Sequence, residues 1–299
     1  MTARMSVEAC AKLNLLLRVL SREADGFHGL ETVFCLVDLA DRLVVERRET
    51  SGIIIEVEGA DVGPSEDNLA VRAAAMVLAA TRHRFGVHLS LTKRVPVQAG
   101  LGGGSSDAAA ALLAVNRLAG DAVPRHELLQ FAARLGSDVP FFLSGAPLAL
   151  GWGHGERLLR LPPLPAAPVL LVVPNTRVAT AEAYGWVDAA RQSSGRRGAV
   201  ALDLDSLAHW GDIGRMAGND FESPVFGRHP EIRAAFEALA GTRPLVCRMS
   251  GSGSTLFAVY RSARDRDDAQ MMLGRKHGRL TPCSTLATRP PGPESAELP

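Results

Sequence analysis

Residues 100–107 read Gly100-Leu101-Gly102-Gly103-Gly104-Ser105-Ser106-Asp107 and run straight into Ala108-Ala109-Ala110-Ala111. Four glycines within five positions carry a large ordering entropy, so a chain that keeps them needs what only glycine supplies. That is backbone N–H groups brought close to a ligand with no side chain between. Upstream, residues 87–92 alternate apolar Val87, Leu89 and Leu91 with polar His88, Ser90 and Thr92, which predicts a half-buried strand. Downstream, apolar residues recur at helical spacing over 107–118. Strand, glycine loop and helix N-terminus together form an anion site: the loop offers amides, and the helix adds orphan donors and about half a positive charge. Ser105 and Ser106 add hydroxyls for a phosphate or for Mg²⁺, and Asp107 reads as a helix cap or a loop-ordering residue. A Walker loop is excluded, because Gly104 is followed by Ser105 where lysine is needed. A dinucleotide fingerprint fails at its third glycine, again at Ser105.

The rest of the chain says how this anion is held. Across 299 residues the formal net charge is +1, so no global field draws nucleic acid or an anionic membrane. Phosphate has to be caught locally. The four cysteines, Cys10, Cys35, Cys247 and Cys283, form no close pair and read as free, mostly buried thiols of a reducing compartment. Residues 1–10 lack the apolar stretch of a signal peptide, and no segment approaches the roughly 20 apolar residues that span a bilayer. The expected location is the cytoplasm.

Strands are expected at 7–19, 32–37, 43–45, 53–57, 87–92, 169–173 and 255–260. Helices are expected at 68–80 with Asp67 as cap, 107–118, 124–135 closed by Gly136, 180–191 and 231–239. Residues 136–145 read as a turn followed by a short apolar segment. Three glycines at 151–155 and four prolines at 161–168 place a connection between two units there. The proline-rich end, 289–299, reads as disordered.

Several polar residues stand out against this frame. Lys12 and Asn14 lie two apart in an apolar strand and so point to the same side. A buried lysine needs a partner, either a structural carboxylate or a phosphate and catalytic group. Asp138, in Gly136-Ser137-Asp138-Val139-Pro140, is a turn cap or a carboxylate at a cleft edge. His28, after Gly26-Phe27, is a solvated loop histidine or a ligand contact. Ser250-Gly251-Ser252-Gly253-Ser254 is a hairpin turn or the second glycine-rich wall of a cleft. The remaining histidines show no metal-ligand spacing.

Ala11-Lys12-Leu13-Asn14-Leu15, then Asp25-Gly26-Phe27-His28, then Pro96 to Ala110, then Met249 to Thr255, resemble in order the motifs of the GHMP kinases. Within that superfamily, residues 100–106 and 136–142 and Asn219-Asp220-Phe221-Glu222 are similar to the bacterial diphosphocytidyl-methylerythritol kinases. The likeness runs from about Ser6 to about Ala287. It implies an α+β fold of two domains, 1–160 and 161–288, with the active site in the cleft between them. It implies transfer of the ATP γ-phosphoryl to the 2-hydroxyl of a diphosphocytidyl-methylerythritol, a step of the non-mevalonate route to isoprenoid precursors. ATP and Mg²⁺ are then the cofactors, with no direct metal ligand assigned. The implied catalytic residues are Lys12 and Asp138. ATP falls to Asn68, Lys93, Pro96, Gly100, Leu101, Gly102, Gly103, Gly104, Ser105 and Ser106. The acceptor falls to Asn14, Phe27, His28, Asp138 and Tyr184, with Tyr184 and Phe27 about the cytosine and His28 at its edge. The implied partners are these small molecules alone, for a monomer or weak homodimer. Phe27, Gly29, Gln98 and Ser254 depart from the residues usual in that family. Alternative readings are a GHMP kinase for homoserine, mevalonate or a sugar, and a nucleotide-binding regulator without the Lys12–Asp138 pair. A dinucleotide oxidoreductase is disfavoured by Ser105.

Overall fold

The structure is a computed structural model that describes residues 3–22, 26, 28–82, 84–194 and 202–295. The chain opens with two long antiparallel strands, β1 (Arg4–Arg22) and β2 (His28–Arg48). The expected strands at 32–37 and 43–45 are thus one strand. Asp38 and Asp41, which look like a break, are both satisfied by distant groups: Ser284 N donates to Asp38 Oδ1, and Val95 N donates to Asp41 Oδ1. The β1–β2 register shifts between Cys10 and Lys12 and again between Asn14 and Leu16. Irregular pairing therefore brackets Lys12 and Asn14, as bulges often do beside functional residues.

β3 (Ile53–Glu58) is followed by α1 (Leu69–Ala80), β4 (Gly86–Thr92) and α2 (Gly103–Leu118). The cap of α1 is Asn68, whose side chain accepts from Ala70 N, rather than Asp67. α2 begins inside the glycine run, four residues earlier than expected, with left-handed Gly102 (φ +72°) as its N-cap. Then come α3 (Arg125–Leu135), the short helix α4 (Val139–Ser144), and the hairpin β5 (Leu148–Gly153) and β6 (Arg157–Arg160). The glycines at 151–155 therefore belong to this hairpin, and only the proline-rich stretch after Arg160 leads to the second sheet.

That sheet starts with β7 (Pro168–Val173). α5 (Thr180–Ser194), α6 (Trp210–Met216), β8 (Gly218–Asn219), α7 (Glu222–Arg228) and α8 (Pro230–Ala240) follow. β9 (Val246–Met249), β10 (Leu256–Val259), α9 (Ala263–Leu273) and β11 (Arg279–Ser284) complete it in the antiparallel order β11-β7-β10-β9. The chain then returns to the first sheet as β12 (Glu294–Ser295), paired with Met5 and Ser6 of β1. The end of the chain was expected to be disordered from 289, yet residues 289–295 are placed. Arg289 packs on Gly145, where glycine leaves room for it.

Apolar packing explains the layering. Leu43, Val45, Leu89 and Leu91 of the first sheet meet Ala73, Ala74 and Val77 of α1 and Ala108, Ala111 and Leu112 of α2 in one core. Leu13, Leu15 and Val33 meet Val169, Leu171 and Phe257 in a second core that joins the two sheets. Leu170, Val172 and Ala258 face α5, α7, α8 and α9 in a third. β7 is buried on both faces, which accounts for its unbroken apolar sequence. The four cysteines are free. Burial pushes the thiols of Cys10 up to about 11 and of Cys35 and Cys247 up to about 12. Among the described residues, no helix is long and apolar enough to cross a membrane.

Candidate active site

Lys12 is 3% exposed, and burial pulls its ammonium below the ordinary 10.5, with Asp138 opposing. Its Nζ donates to Asn14 Oδ1 (2.6 Å) and to the carbonyl of Gly100 (2.9 Å) and lies 3.7 Å from Asp138 Oδ2. Lysine from β1, carbonyl from the glycine loop and carboxylate from the N-terminus of α4 thus converge. The Asp138 side chain is 30% exposed and faces the cleft beside Ser137, Gly102, Thr32, Thr180, Tyr184 and Gly251. Asn14 is fixed on both sides. Its Nδ2 donates to Thr32 Oγ1 (2.8 Å), which donates on to the carbonyl of Leu16 (2.7 Å). Its Oδ1 also accepts from Gly251 N (2.9 Å).

The two glycine-rich loops touch. Ser250 Oγ donates to the Gly100 carbonyl (2.9 Å), and Thr255 N donates to the carbonyl of Ala99 (3.3 Å). The stretch 250–254 is therefore both of the things expected of it, the turn of the β9–β10 hairpin and a wall of the cleft. Asn219 ties it down from β8, donating to the carbonyls of Met249 (2.7 Å) and Gly251 (2.8 Å). Gly100 (φ +79°) has no room for a Cβ, which would stand 2.1 Å from the Ser250 carbonyl oxygen. At Gly102 a Cβ would meet the Phe142 ring at 2.8 Å. A Cβ at Gly104 would meet only Leu69 Cδ1, at 3.9 Å, so a cradle remains above the first turn of α2. Ser105 and Ser106 lie within that turn.

The other expected nucleotide residues surround this loop at different depths. Asn68 caps α1, and Pro96 is half-buried in the β4–α2 loop. Leu101 sends its side chain into the core between the sheets, while its carbonyl accepts from Lys12 N (3.0 Å). Lys93 is buried, and its ammonium is taken up by Asp41 and by Asp107 Oδ2 (2.7 Å). Burial lowers the Lys93 ammonium, but Asp107 and Asp41 outweigh it and hold it above its ordinary value. Asp107 is accordingly an ion-paired helix residue beneath the loop and not a cap. Burial pushes its carboxyl up to about 7, against the pull of Lys93 and with a further push from Asp41.

On the far side of Asp138 the cleft widens into a groove lined by His28, Ser137, His154, Tyr184 and Asp188. Tyr184 and His28 stack directly on one another, with ring centroids 5.1 Å apart and planes at 19°. Phe27 lies outside the described residues. Burial, with Asp138 adding to it, pushes the Tyr184 hydroxyl up to about 12. Among the residues of the site with no role assigned from the sequence are Thr32, Asp41, Asp188, Asn219 and Phe221. Thr32 and Asp41 carried a signal, as polar residues in an apolar strand. Asp188 carried none on a polar helix.

Residues 68–146 match the GHMP kinases N terminal domain, and residues 203–280 match the GHMP kinases C terminal domain. The chain is 43% identical over 267 residues to the 4-diphosphocytidyl-2-C-methyl-D-erythritol kinase of Solibacter usitatus, covering 87% of this chain and 82% of that protein. It is 40% identical to the Chlorobaculum tepidum enzyme of the same name, covering 93% and 96%. A crystal structure of a 4-(cytidine 5'-diphospho)-2C-methyl-D-erythritol kinase superposes with a TM-score of 0.80 at 37% identity, over 94% of this chain and 99% of that one. A homoserine kinase from Cytophaga hutchinsonii shares the fold, with a TM-score of 0.70 at 20% identity over 99% and 98%. With both domains matched and relatives this similar over most of their length, the chain belongs to the 4-diphosphocytidyl-2-C-methyl-D-erythritol kinase family of the GHMP kinases.

Proposed function

We propose that the protein transfers the γ-phosphoryl group of ATP to the 2-hydroxyl of 4-diphosphocytidyl-2-C-methyl-D-erythritol, the phosphorylation step of a non-mevalonate route to isoprenoid precursors. The observation that carries this reading is the 3.7 Å approach of Lys12 Nζ to Asp138 Oδ2 beside the Gly100 carbonyl of the glycine loop. A regulator that only bound nucleotide would have no use for a buried ammonium and a cleft-facing carboxylate at that point.

Asp138 would accept a hydrogen bond from the 2-hydroxyl and aim its oxygen at the γ-phosphorus. A new P–O bond forms to that oxygen as the bond to the β-phosphate oxygen breaks, and the proton passes to Asp138. In a loose transition state the proton leaves late, which suits an ordinary carboxylate. Lys12 would offset charge building on the transferring oxygens from a buried position. Its rigid hold by Asn14 and Gly100 means that little reorganisation is needed at the moment of transfer.

The cradle above α2 fits a polyphosphate, because its walls are glycines and its floor is a helix N-terminus. Among the described residues no cluster of three His, Cys, Asp or Glu side chains could hold a metal by itself. Mg²⁺ keeps much of its shell as water and phosphate oxygens, so it would be held chiefly through the bound phosphates. Ser105, half-buried in the first turn of α2, would complete that shell while Ser106 is buried, and bound Mg²⁺ would supply charge neutralisation at the phosphates. Tyr184, His28 and the groove beside them would take the cytidine end.

The test is direct. The purified protein is incubated with ATP, Mg²⁺ and the diphosphocytidyl acceptor, and ³¹P NMR should show a new phosphomonoester with ADP in equal amount. Homoserine, mevalonate and galactose serve as rival acceptors. Turnover of one of these, with none of the cytidine compound, would overturn the assignment.

A further inference from the structure

Asp188 lies one helical turn beyond Tyr184 on α5, so the two share a face of that helix. Both meet His28, which comes from the other half of the chain. Tyr184 stacks on the imidazole and is itself held edge-on by Phe221, with centroids 5.0 Å apart and planes at 88°. Asp188 Oδ1 lies 2.7 Å from His28 Nε2. The imidazole is buried, while the Asp188 side chain is 33% exposed. Nδ1 makes no hydrogen bond with any described residue.

The tautomer follows from the partner. A carboxylate only accepts, so Nε2 carries the hydrogen. A neutral imidazole has one ring hydrogen, and Nδ1 is then left with a lone pair. The two pyrimidine bases differ in this respect at position 4: cytosine presents an amine donor, and uracil a carbonyl acceptor.

We propose that Asp188 is a positioning residue that sets base selectivity. By holding His28 as the Nε2–H tautomer it leaves Nδ1 as an acceptor, which takes a hydrogen bond from a 4-aminopyrimidine and opposes a uracil carbonyl lone pair to lone pair. The inference rests on the reading that the groove takes the cytidine end of the acceptor. It makes rejection of uridine an active feature of the site.

Wild type, Asp188→Ala and Asp188→Asn are compared at about pH 8 with the diphosphocytidyl acceptor and its uridine counterpart. The His28 tautomer is read in each free protein by ¹⁵N NMR of labelled histidine. Wild type should show Nε2–H. Asp188→Ala should show a mixture of tautomers, and its cytidine-to-uridine ratio of kcat/KM should fall about tenfold, chiefly through KM. Asp188→Asn, whose amide oxygen still accepts, should keep most of the ratio. An unchanged ratio in Asp188→Ala, or an Nδ1–H or doubly protonated ring in wild type, overturns the proposal. Failure of wild type to phosphorylate the cytidine acceptor overturns the functional reading and this selectivity with it. The other failures leave wild-type turnover intact, so the two are told apart.

Discussion

Lys12 shows how one residue can cost stability and carry function. Its ammonium is buried, yet each of its two acceptors has a second donor: Gly251 N for Asn14 Oδ1, and Ser250 Oγ for the Gly100 carbonyl. Removing the ammonium therefore leaves neither acceptor orphaned and relieves the burial of a charge. Lys12→Met should lower kcat about a hundredfold or more, while the melting temperature stays level or rises. The pH profile follows from the same burial. The charged form is the active one and its folded value lies below the ordinary 10.5. Activity is then present below that lowered value and lost as pH rises through it, so the alkaline fall of kcat/KM should begin beneath the range of an exposed lysine. Asp138→Asn keeps the shape and removes the base. It should reduce kcat about a hundred- to ten-thousand-fold, with ATP affinity by calorimetry close to wild type.

At the scale of elements, the site is a contact between two loops that lie about a hundred and fifty residues apart in the chain (Ser250 to Gly100, separation 150). Gly100 is where they meet. Its positive φ demands glycine, and so does the Ser250 oxygen, which would lie only 2.1 Å from any Cβ at this position. Gly100→Ala should push the loops apart. A loss of about 2 kcal/mol or more is expected in urea unfolding, with kcat/KM reduced for ATP and acceptor alike. An unchanged melting curve with normal turnover would mean that the loops do not bear on one another in solution. Beneath the same loop, Lys93 joins Asp41 of β2 to Asp107 of α2, so the glycine run is anchored from the sheet as well as from the opposite hairpin.

For the whole molecule, the sheets of the two domains are joined by a shared apolar core. Leu13, Leu15 and Val33 are buried against Val169, Leu171 and Phe257. The end of the chain then crosses back: Thr285 bridges to Val37, and β12 pairs with β1. Arg289, Pro290 and Pro291 lie over Ser106, Phe142 and Gly145, behind the phosphate cradle and the helix that begins after Asp138. Deleting residues 289–299 should cost about 1–3 kcal/mol by thermal or urea unfolding. The cradle should suffer with it, seen as a higher KM for ATP.

Much of this was local in the sequence. The glycine run, the alternation of residues 87–92 and the apolar run of β7 each state their own structure, because backbone freedom and side-chain periodicity act over a few residues. The two-residue spacing of Lys12 and Asn14 likewise put them on one side of a strand. Other features depended on partners far along the chain. Asp38 and Asp41 look like a strand break until Ser284, Val95 and Lys93 satisfy them. Residues 103–106 look like loop, yet they form the first turn of α2, with Ser106 N donating to the Gly102 carbonyl. The proline-rich end looks disordered until Met5 and Ser6 pair with it. The amino acids alone determined the elements with clear local periodicity, such as β4, β7, α1 and α2, whereas α4, α6, α7, α9 and the strands β5, β6, β9 and β11 were not among those expected. Only the tertiary structure decided that Asp138 stands beside Lys12 and Asp188 beside His28, since such pairings are set by long-range burial and hydrogen bonding and leave no trace in local spacing.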